Sequence, residues 1–203
     1  LPEGTPVLAT TATANARVVA DVEEQLGRAG DGSRVHVETI RGGLARASLR
    51  LGVLRSMSPE SRLAWLVTHL PSLPGSGIIY TLTVAAAEDV ATALSEAGLT
   101  VASYTGRTDP ADRERLEEAL RHNEVKALVA TSALGMGFDK PDLGFVVHLG
   151  APSSPVAYYQ QIGRAGRALD DAVVVLLPAE TDERLWEWFA TASIPKRDEV
   201  TAV

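Results

Sequence analysis

Short apolar runs alternate with amphipathic stretches along most of the chain, and this alternation predicts strands interleaved with helices. Inner strands are expected at residues 76–81, 125–129, 145–149 and 173–177, and alternating patterns predict further strands at 35–40 and 46–54. Because most of the inner runs are apolar throughout, they suit a strand that is buried on both faces. The pattern therefore predicts an α/β fold, with a mainly parallel sheet covered by helices on both faces.

Helix starts are marked by capping residues. Ser58 and Asp109 each precede a proline, which predicts helices that begin at Pro59 and Pro110. Helical spacing also predicts helices over residues 13–26, 84–97 and 181–191. The last of these carries Leu185, Trp186 and Phe189 on one stripe, which is more typical of packing than of stacking on bases.

Composition narrows the possible partners of the chain. It has 203 residues, 45% hydrophobic content and no cysteine, so a large core is possible and disulfides are excluded. The net charge of −7 argues against binding nucleic acid through overall charge, so any contact with DNA must be local. No segment resembles a signal peptide or a membrane span, and we expect a cytoplasmic protein. The four histidines, His36, His69, His122 and His148, lie apart in the sequence and predict no metal site.

The segment 158–167 carries the most distinctive chemistry. It reads YYQQIGRAGR, and it holds Arg164 and Arg167 three residues apart on a turn that contains Gly163 and Gly166. Two guanidinium groups offer fixed forks of donors for phosphate oxygens, and glycines leave room for a polyphosphate. The alternative is a solvated basic helix end with glycine caps.

A second polar segment follows the strand at 125–129. It reads ATSALGMGFDKPD over residues 130–142, so a small-residue loop follows directly after an inner strand. In open α/β sheets, ligands bind at this end of the strands. Asp139 is the candidate acid of this loop, and its alternative is a carboxylate that caps local amide groups.

Together with the strand at 145–149, these two segments resemble motifs V and VI of superfamily 2 helicases, and the wording is most similar to the second RecA-like domain of RecQ-type DNA helicases. The resemblance extends to motif IV at 76–83, to a DNA-contacting turn at 101–106 and to motif III at 7–15, and covers about residues 5 to 180. The chain departs from the RecQ pattern at Gln161, where glutamate is common, and at 168–171, which reads ALDD. The zinc module and winged helix typical of RecQ proteins are also not in this sequence.

The resemblance implies a role for each candidate residue. Arg167 corresponds to an arginine finger, Arg164 to its companion at the γ-phosphate, and Gln160 to a nucleotide sensor. The remaining roles are nucleotide binding for Gly137, Asp139 and Gly163, DNA-backbone contact for Thr105, Gly106 and Thr131, and coupling for Thr11 and Thr13. Plain structural roles, such as capping, turn formation and polar helix surface, are the alternatives for these residues.

The sequence contains no phosphate-binding loop of the form GxxxxGK[ST] and no acidic segment that would hold a metal. We therefore expect a piece of a longer polypeptide, with residues 1–32 ending a first motor domain, 33–192 forming the second and 193–203 a tail or linker. The resemblance implies an ATP-dependent DNA helicase or translocase of 3′ to 5′ polarity with a role in DNA repair. ATP, DNA and the first RecA-like domain are its partners, and Mg²⁺ is held by that domain. The chain alone is expected to be inactive.

Two alternatives remain open from the sequence. One is an RNA helicase or chromatin-type translocase of the same superfamily, and the other is a non-catalytic binding module with a RecA-like fold.

Overall fold

The structure is a computed structural model that describes residues 5–11, 15–28, 35–43, 45–134 and 138–192, with side chains as far as Glu187. The chain divides into two compact units, residues 1–46 and 47–203. The domain bounds expected from the sequence, at residues 33 and 193, stay predictions.

Among its described residues, the first unit contains one helix, α1 (Ala16–Leu26), whose first turn is capped by the Asn15 side chain. The prediction of a strand at 35–40 is wrong, because residues 35–43 form neither strand nor helix. An alternating pattern becomes a strand only where it gains a pairing partner and a buried face. Val35 and Ile40 remain 51% and 87% exposed, so their apolar side chains have no such face.

The second unit is built on a six-stranded sheet. Its strands are β1 (Leu49–Val53), β2 (Gly77–Thr81), β3 (Val101–Tyr104), β4 (Ala127–Ala130), β5 (Phe145–Leu149) and β6 (Ala172–Leu177). They lie in the order β1-β6-β5-β2-β4-β3, and every neighbouring pair is parallel. The mainly parallel sheet expected from the apolar runs is confirmed.

In the described part of this unit, the helices that accompany the sheet are α2 (Pro59–His69), α3 (Val84–Glu96), α4 (Pro110–Arg121), α5 (Pro155–Ile162) and α6 (Asp182–Ala192). A short 3₁₀ turn, Leu70–Ser72, follows α2. The side chains of Ser58, Asp109 and Ser154 accept hydrogen bonds from the first turns of α2, α4 and α5. A proline follows each of these caps, as the sequence predicted for the first two.

Side chains alternate between the two faces of the sheet and form two cores. In β2, Ile78 and Tyr80 pack in one core with Leu120 of α4 and Ile162 of α5. Ile79 packs on the opposite face, in a core that includes residues of α2 and α3. Helices therefore cover both faces, which confirms the expected fold class.

Because all six strands are parallel, their carboxyl ends lie along one edge of the sheet. Tyr104 pairs with Ala130 at the ends of β3 and β4, so the loops that begin at Thr105 and Thr131 leave the sheet side by side. Within the described residues, no helix combines the length and apolar character that crossing a bilayer requires.

Candidate functional site

The turn after α5 is joined to the loop after β4 by backbone hydrogen bonds. The amide of Gly166 donates to the carbonyl of Leu143 at 3.0 Å, and the amide of Ala168 donates to the carbonyl of Pro141 at 2.8 Å. These bonds bring together the two segments that the sequence singled out for ligand binding. The turn after α5, hereafter the arginine turn (residues 163–168), and residues 138–144 of the loop after β4, hereafter the Asp139 loop, therefore form one continuous surface.

Arg167 lies on that surface and forms an ion pair with Asp139. Its Nη1 is 2.7 Å from Asp139 Oδ1, and the two side chains are 41% and 58% exposed. Its Nε also donates to the carbonyl of Gly163 at 3.2 Å, which holds the side chain against the end of α5. The structure thus brings three of the predicted nucleotide residues into direct contact.

Arg164 has a different environment, although it belongs to the same turn. Its side chain is partly buried, and Nη1 donates to the carbonyl of Phe138 at 3.0 Å. The guanidinium also forms a hydrogen bond with the hydroxyl of Tyr80. Burial raises the pKa of Tyr80 to about 12, whereas the charge and hydrogen bond of Arg164 act in the opposite direction. The Arg164 guanidinium is therefore held by two contacts, one with the Tyr80 hydroxyl and one with the Phe138 carbonyl.

The conformation of the turn depends on Gly166. Its φ is +66°, a left-handed value, and a Cβ there would lie 2.9 Å from Ala172 Cβ and 3.0 Å from Ser48 Oγ. The Ser48 hydroxyl donates to the Gly166 carbonyl at 2.9 Å. Gly166 thus allows the turn to pack on the sheet, whereas the sequence suggested that it leaves room for a polyphosphate.

Sequence reasoning missed a buried aromatic and imidazole cluster beneath α5. His148 is 1% exposed, and its ring lies between those of Tyr80 and Tyr158 at centroid distances of 5.3 and 5.1 Å. Its Nε2 is 2.9 Å from Gln161 Oε1. Burial lowers the pKa of His148 to about 4, and the hydrogen bond to Gln161 opposes that shift. The sequence placed His148 correctly at the end of a strand, but its neighbours are distant in sequence.

The turn after β3 holds two residues expected to contact DNA. Thr105 is 2% exposed, and its Oγ1 accepts a hydrogen bond from the Arg107 amide at 3.2 Å. Arg113 fixes the same turn by donating to the carbonyls of Gly106 and Thr108 at 2.7 and 2.9 Å. Gly106 is exposed, and so is Arg107, a cation outside the set of predicted site residues.

Thr131 begins the neighbouring loop. Its amide donates to the carbonyl of Tyr104 at 3.3 Å, and its hydroxyl accepts from the amide of Ala133 at 3.4 Å. Thr131 therefore lies next to the β3 turn, at the carboxyl edge of the sheet. The three residues expected to contact DNA are brought together in the loops after β3 and β4, two strands that lie on the opposite side of β2 from β5 and β6.

The remaining predicted residues lie elsewhere in the chain. Gln160 is exposed on α5, and Gly163 caps that helix. Thr11 is exposed in a segment without helix or strand, in the other compact unit. Gly137 and Thr13 lie outside the described residues.

Lys140 and Asp142 stabilise the Asp139 loop through an ion pair and a contact with the end of α4. Lys140 is 3% exposed, and its Nζ lies 2.9 and 3.0 Å from the two Asp142 carboxylate oxygens. Its third contact, at 3.1 Å, is the carbonyl of Arg121 at the end of α4. A hydrogen bond from Lys140 lowers the pKa of Asp142. Lys140 is therefore a structural residue that orients the loop towards the arginine turn.

The exposed guanidinium of Arg167 suits a phosphate group. A half-exposed guanidinium that already binds a carboxylate can bind a phosphate oxygen in the same way. In the part of the chain that the structure describes, no three His, Asp or Glu side chains form a group that could hold a metal ion. The exposed guanidinium of Arg167 thus fits an anionic ligand.

Comparison with known proteins identifies the family of the chain. The model of the family described as "Helicase conserved C-terminal domain" matches residues 61–169. The chain is 33% identical over 175 residues to "ATP-dependent DNA helicase RecQ" of Pasteurella multocida, covering 86% of this chain and 25% of that protein. It is 41% identical over 92 residues to "ATP-dependent DNA helicase Q1" of Rattus norvegicus, covering 45% of this chain and 15% of the relative.

A solved structure shares the fold. The structure of Saccharomyces cerevisiae Dbp5 L327V bound to RNA and ADP BeF3 superposes with a TM-score of 0.74 at 19% identity, covering 100% of this chain and 54% of that one. The chain spans about a quarter of the length of the RecQ relative. With a family match over more than half of its residues, the chain belongs to the helicase conserved C-terminal domain family, has the RecA-like fold of that family, and is related to RecQ-type DNA helicases.

Proposed function

We propose that the chain is the second motor domain of an ATP-dependent DNA helicase or translocase, and that its arginine turn binds the γ-phosphate of ATP at the cleft with a first RecA-like domain. The observation that carries the proposal is the ion pair between Arg167 and Asp139. It places a guanidinium and a carboxylate on one exposed surface, beside the capped end of α5.

This ion pair is weak enough to be exchanged. Both partners are about half exposed, and pairs of that kind contribute roughly 0–1 kcal/mol. Charge-assisted hydrogen bonds to phosphate are stronger and fit the guanidinium fork. Bound ATP would therefore take Arg167 from Asp139, and it would leave that carboxylate free to accept hydrogen bonds from the ribose.

The two arginines then have separate tasks. Arg167, at the exposed position, stabilises the charge that develops on the transferred phosphoryl group, as an arginine finger does. Arg164 is held by the Phe138 carbonyl and Tyr80, so it supplies a preorganised charge that does not have to move. Gln160, exposed on α5, senses the nucleotide, and Gly163 and Gly137 contribute to nucleotide binding.

The nucleic-acid track follows the carboxyl ends of β3 and β4. Thr131 and the exposed Gly106 approach the DNA backbone, and Thr105 shapes the turn through its bond with the Arg107 amide. Thr11 and Thr13 couple this grip to hydrolysis. The first motor domain supplies the phosphate-binding loop and the Mg²⁺ ligands, and movement is 3′ to 5′ along single-stranded DNA.

The test is DNA-stimulated ATP hydrolysis by the full-length protein that contains this chain, with and without Arg167→Ala. Loss of an arginine finger lowers turnover by roughly 10³-fold. Arg115→Ala is the matched control, because Arg115 is an exposed arginine that pairs with Asp112 on α4, outside the proposed site. We expect normal turnover in that control and no hydrolysis by the 203-residue chain alone.

Near-normal turnover in a folded Arg167→Ala variant would refute the arginine-finger role. Robust hydrolysis by the chain alone would refute its assignment as half of a motor. No hydrolysis and no nucleotide binding by the unaltered full-length protein would favour a non-catalytic binding module.

A further inference from the structure

A buried ring layer lies between the sheet and the arginine turn. His148, near the end of β5, lies between Tyr80 of β2 and Tyr158 of α5, and its ring is nearly parallel to that of Tyr80, at 21°. None of the three groups was part of the predicted site. A polar ring with 1% exposure in a layer that could be wholly apolar requires an explanation.

The contact of His148 with Gln161 and the buried Nδ1 define the protonation state of the imidazole. Gln161 Oε1 accepts from Nε2, so the proton of the neutral ring is on Nε2. Nδ1 is buried and has no hydrogen-bond partner among the described residues. A second proton on Nδ1 would be a buried donor without an acceptor, which is more costly than a bare acceptor. The reversed Gln161 amide would create the same problem, because Nδ1 would then carry the proton.

The layer contacts the arginine turn at two points. Gln161 lies on α5, directly after Gln160 and three residues before Arg164, so its bond to His148 fixes the last turn of that helix on the sheet. Tyr80 stacks on His148 and reaches the guanidinium of Arg164 with its hydroxyl, which also donates to the carbonyl of Leu134 at 3.2 Å. Movement of the imidazole would therefore disturb both the helix end and the arginine.

We propose that His148 is a positioning residue for Arg164 and Gln160, acting through its hydrogen bond to Gln161 and its ring contact with Tyr80. The proposal rests on the function proposed above, because it assigns His148 to the same hydrolysis. His148 does not touch the nucleotide. Its effect is to hold the helix end and the guanidinium in the geometry that the transition state needs.

The variant that tests this role is His148→Phe in the full-length protein. Phenylalanine keeps a ring between the two tyrosines and removes the donor to Gln161, together with the unsatisfied Nδ1, so the fold is expected to persist. We expect kcat for DNA-stimulated ATP hydrolysis to fall about 10- to 100-fold, the range that small misplacements of catalytic groups produce. The KM for ATP should change little, because the lost interaction matters in the transition state. His122→Phe, at an exposed histidine on the end of α4, is the control.

Two further measurements separate positioning from mere packing. In a cycle with Gln161→Leu, the double variant should lose no more kcat than the worse single variant, because both changes break the same bond. Imidazole nitrogen shifts of His148 in the 203-residue chain should show the Nε2–H tautomer at neutral pH. Additive losses, a charged ring or an Nδ1–H tautomer would overturn the proposal.

The outcomes distinguish this inference from the function on which it rests. Suppose that Arg167→Ala abolishes hydrolysis while kcat of a folded His148→Phe variant stays within about twofold of normal. Only the positioning role then fails, because a misplaced catalytic group should lower kcat by at least about 10-fold. If Arg167→Ala leaves hydrolysis intact, the proposed function fails, and the positioning role fails with it. A loss of kcat in both variants, with the expected tautomer, supports both.

Discussion

At the scale of single residues, Arg164 and Arg167 show how the same side chain acquires two roles three positions apart. Arg167 is half exposed and paired with an exchangeable carboxylate, whereas Arg164 is partly buried and held by the Phe138 carbonyl. The Arg167 guanidinium can move to contact a bound ligand, whereas the partly buried Arg164 guanidinium is held in one position. This difference is the reason that the proposed arginine-finger test uses Arg167.

His148 also makes a prediction about stability at the residue scale. Tyr80 faces it from β2, Tyr158 and Gln161 face it from α5, and Arg164 is the charged group beyond Tyr80. Burial lowers the pKa of His148 from 6.5 to about 4. Between these values the unfolded chain binds the proton and the folded chain does not, so stability decreases as pH falls through this window.

We therefore expect acidification from pH 7 to pH 4 to destabilise the unaltered chain by about 3 kcal/mol more than the His148→Phe variant. Urea unfolding of both proteins across this range measures the difference, and the carboxylates that they share cancel in the comparison. Equal pH dependence in the two proteins would mean that His148 titrates normally and is not buried as a neutral ring.

At the scale of elements, the turn between α5 and β6 is fixed by packing as much as by its own residues. The backbone of Gly166 faces Ser48 and Ala172, and its amide bonds to the loop before β5. The sequence predicted the glycine-rich turn but suggested an opening for phosphate. The contacts that require a glycine come instead from β6 and from the residue before β1, which are close to the turn only in the folded protein.

Gly166→Ala should destabilise the chain by about 2–4 kcal/mol, through the left-handed backbone and the overpacking of a Cβ against Ala172. Chemical denaturation of the 203-residue chain measures this loss. Gly106→Ala is the matched control, since nothing lies within 4 Å of its Cβ position, and we expect a change within about 0.5 kcal/mol. A loss of equal size in both variants would contradict the specific role of Gly166.

At the scale of the whole molecule, the charge of the chain limits its grip on nucleic acid. The net charge is −7, and the loops after β3 and β4 offer backbone amides, hydroxyls and the exposed Arg107. Such a surface neutralises few phosphates, and phosphate neutralisation supplies most non-specific affinity. A firm hold on DNA therefore requires surfaces beyond the ones described.

We expect the 203-residue chain alone to bind single-stranded oligonucleotides with a Kd of about 10⁻⁴ M or weaker. The slope of log K against log salt should be no steeper than about −2, and Arg107→Ala should reduce it by about 0.7. Fluorescence anisotropy at several salt concentrations measures both quantities. Micromolar affinity with a slope near −4 would reveal a basic surface that the proposal does not include.

Local patterns in the sequence determined much of this architecture. Apolar runs identified the inner strands, because strands buried on both faces need apolar residues at every position, and Ser58 and Asp109 marked their helices because capping involves only near neighbours. Motif wording pointed to the helicase family and to Arg164, Arg167 and Asp139 as site residues.

Only the tertiary structure decided how these parts meet. The strand order, the pairing of Arg167 with Asp139 across 28 positions, the burial of Thr105 and Lys140, and the stacking of His148 on Tyr80 all depend on contacts between distant segments. The prediction of a strand at 35–40 was wrong for the same reason, because strand formation also depends on contacts between distant segments. Alternation with a period of two residues indicates which side chains could lie on the same face of a strand. Strand pairing and burial decide whether a sheet forms, and both are properties of the folded chain.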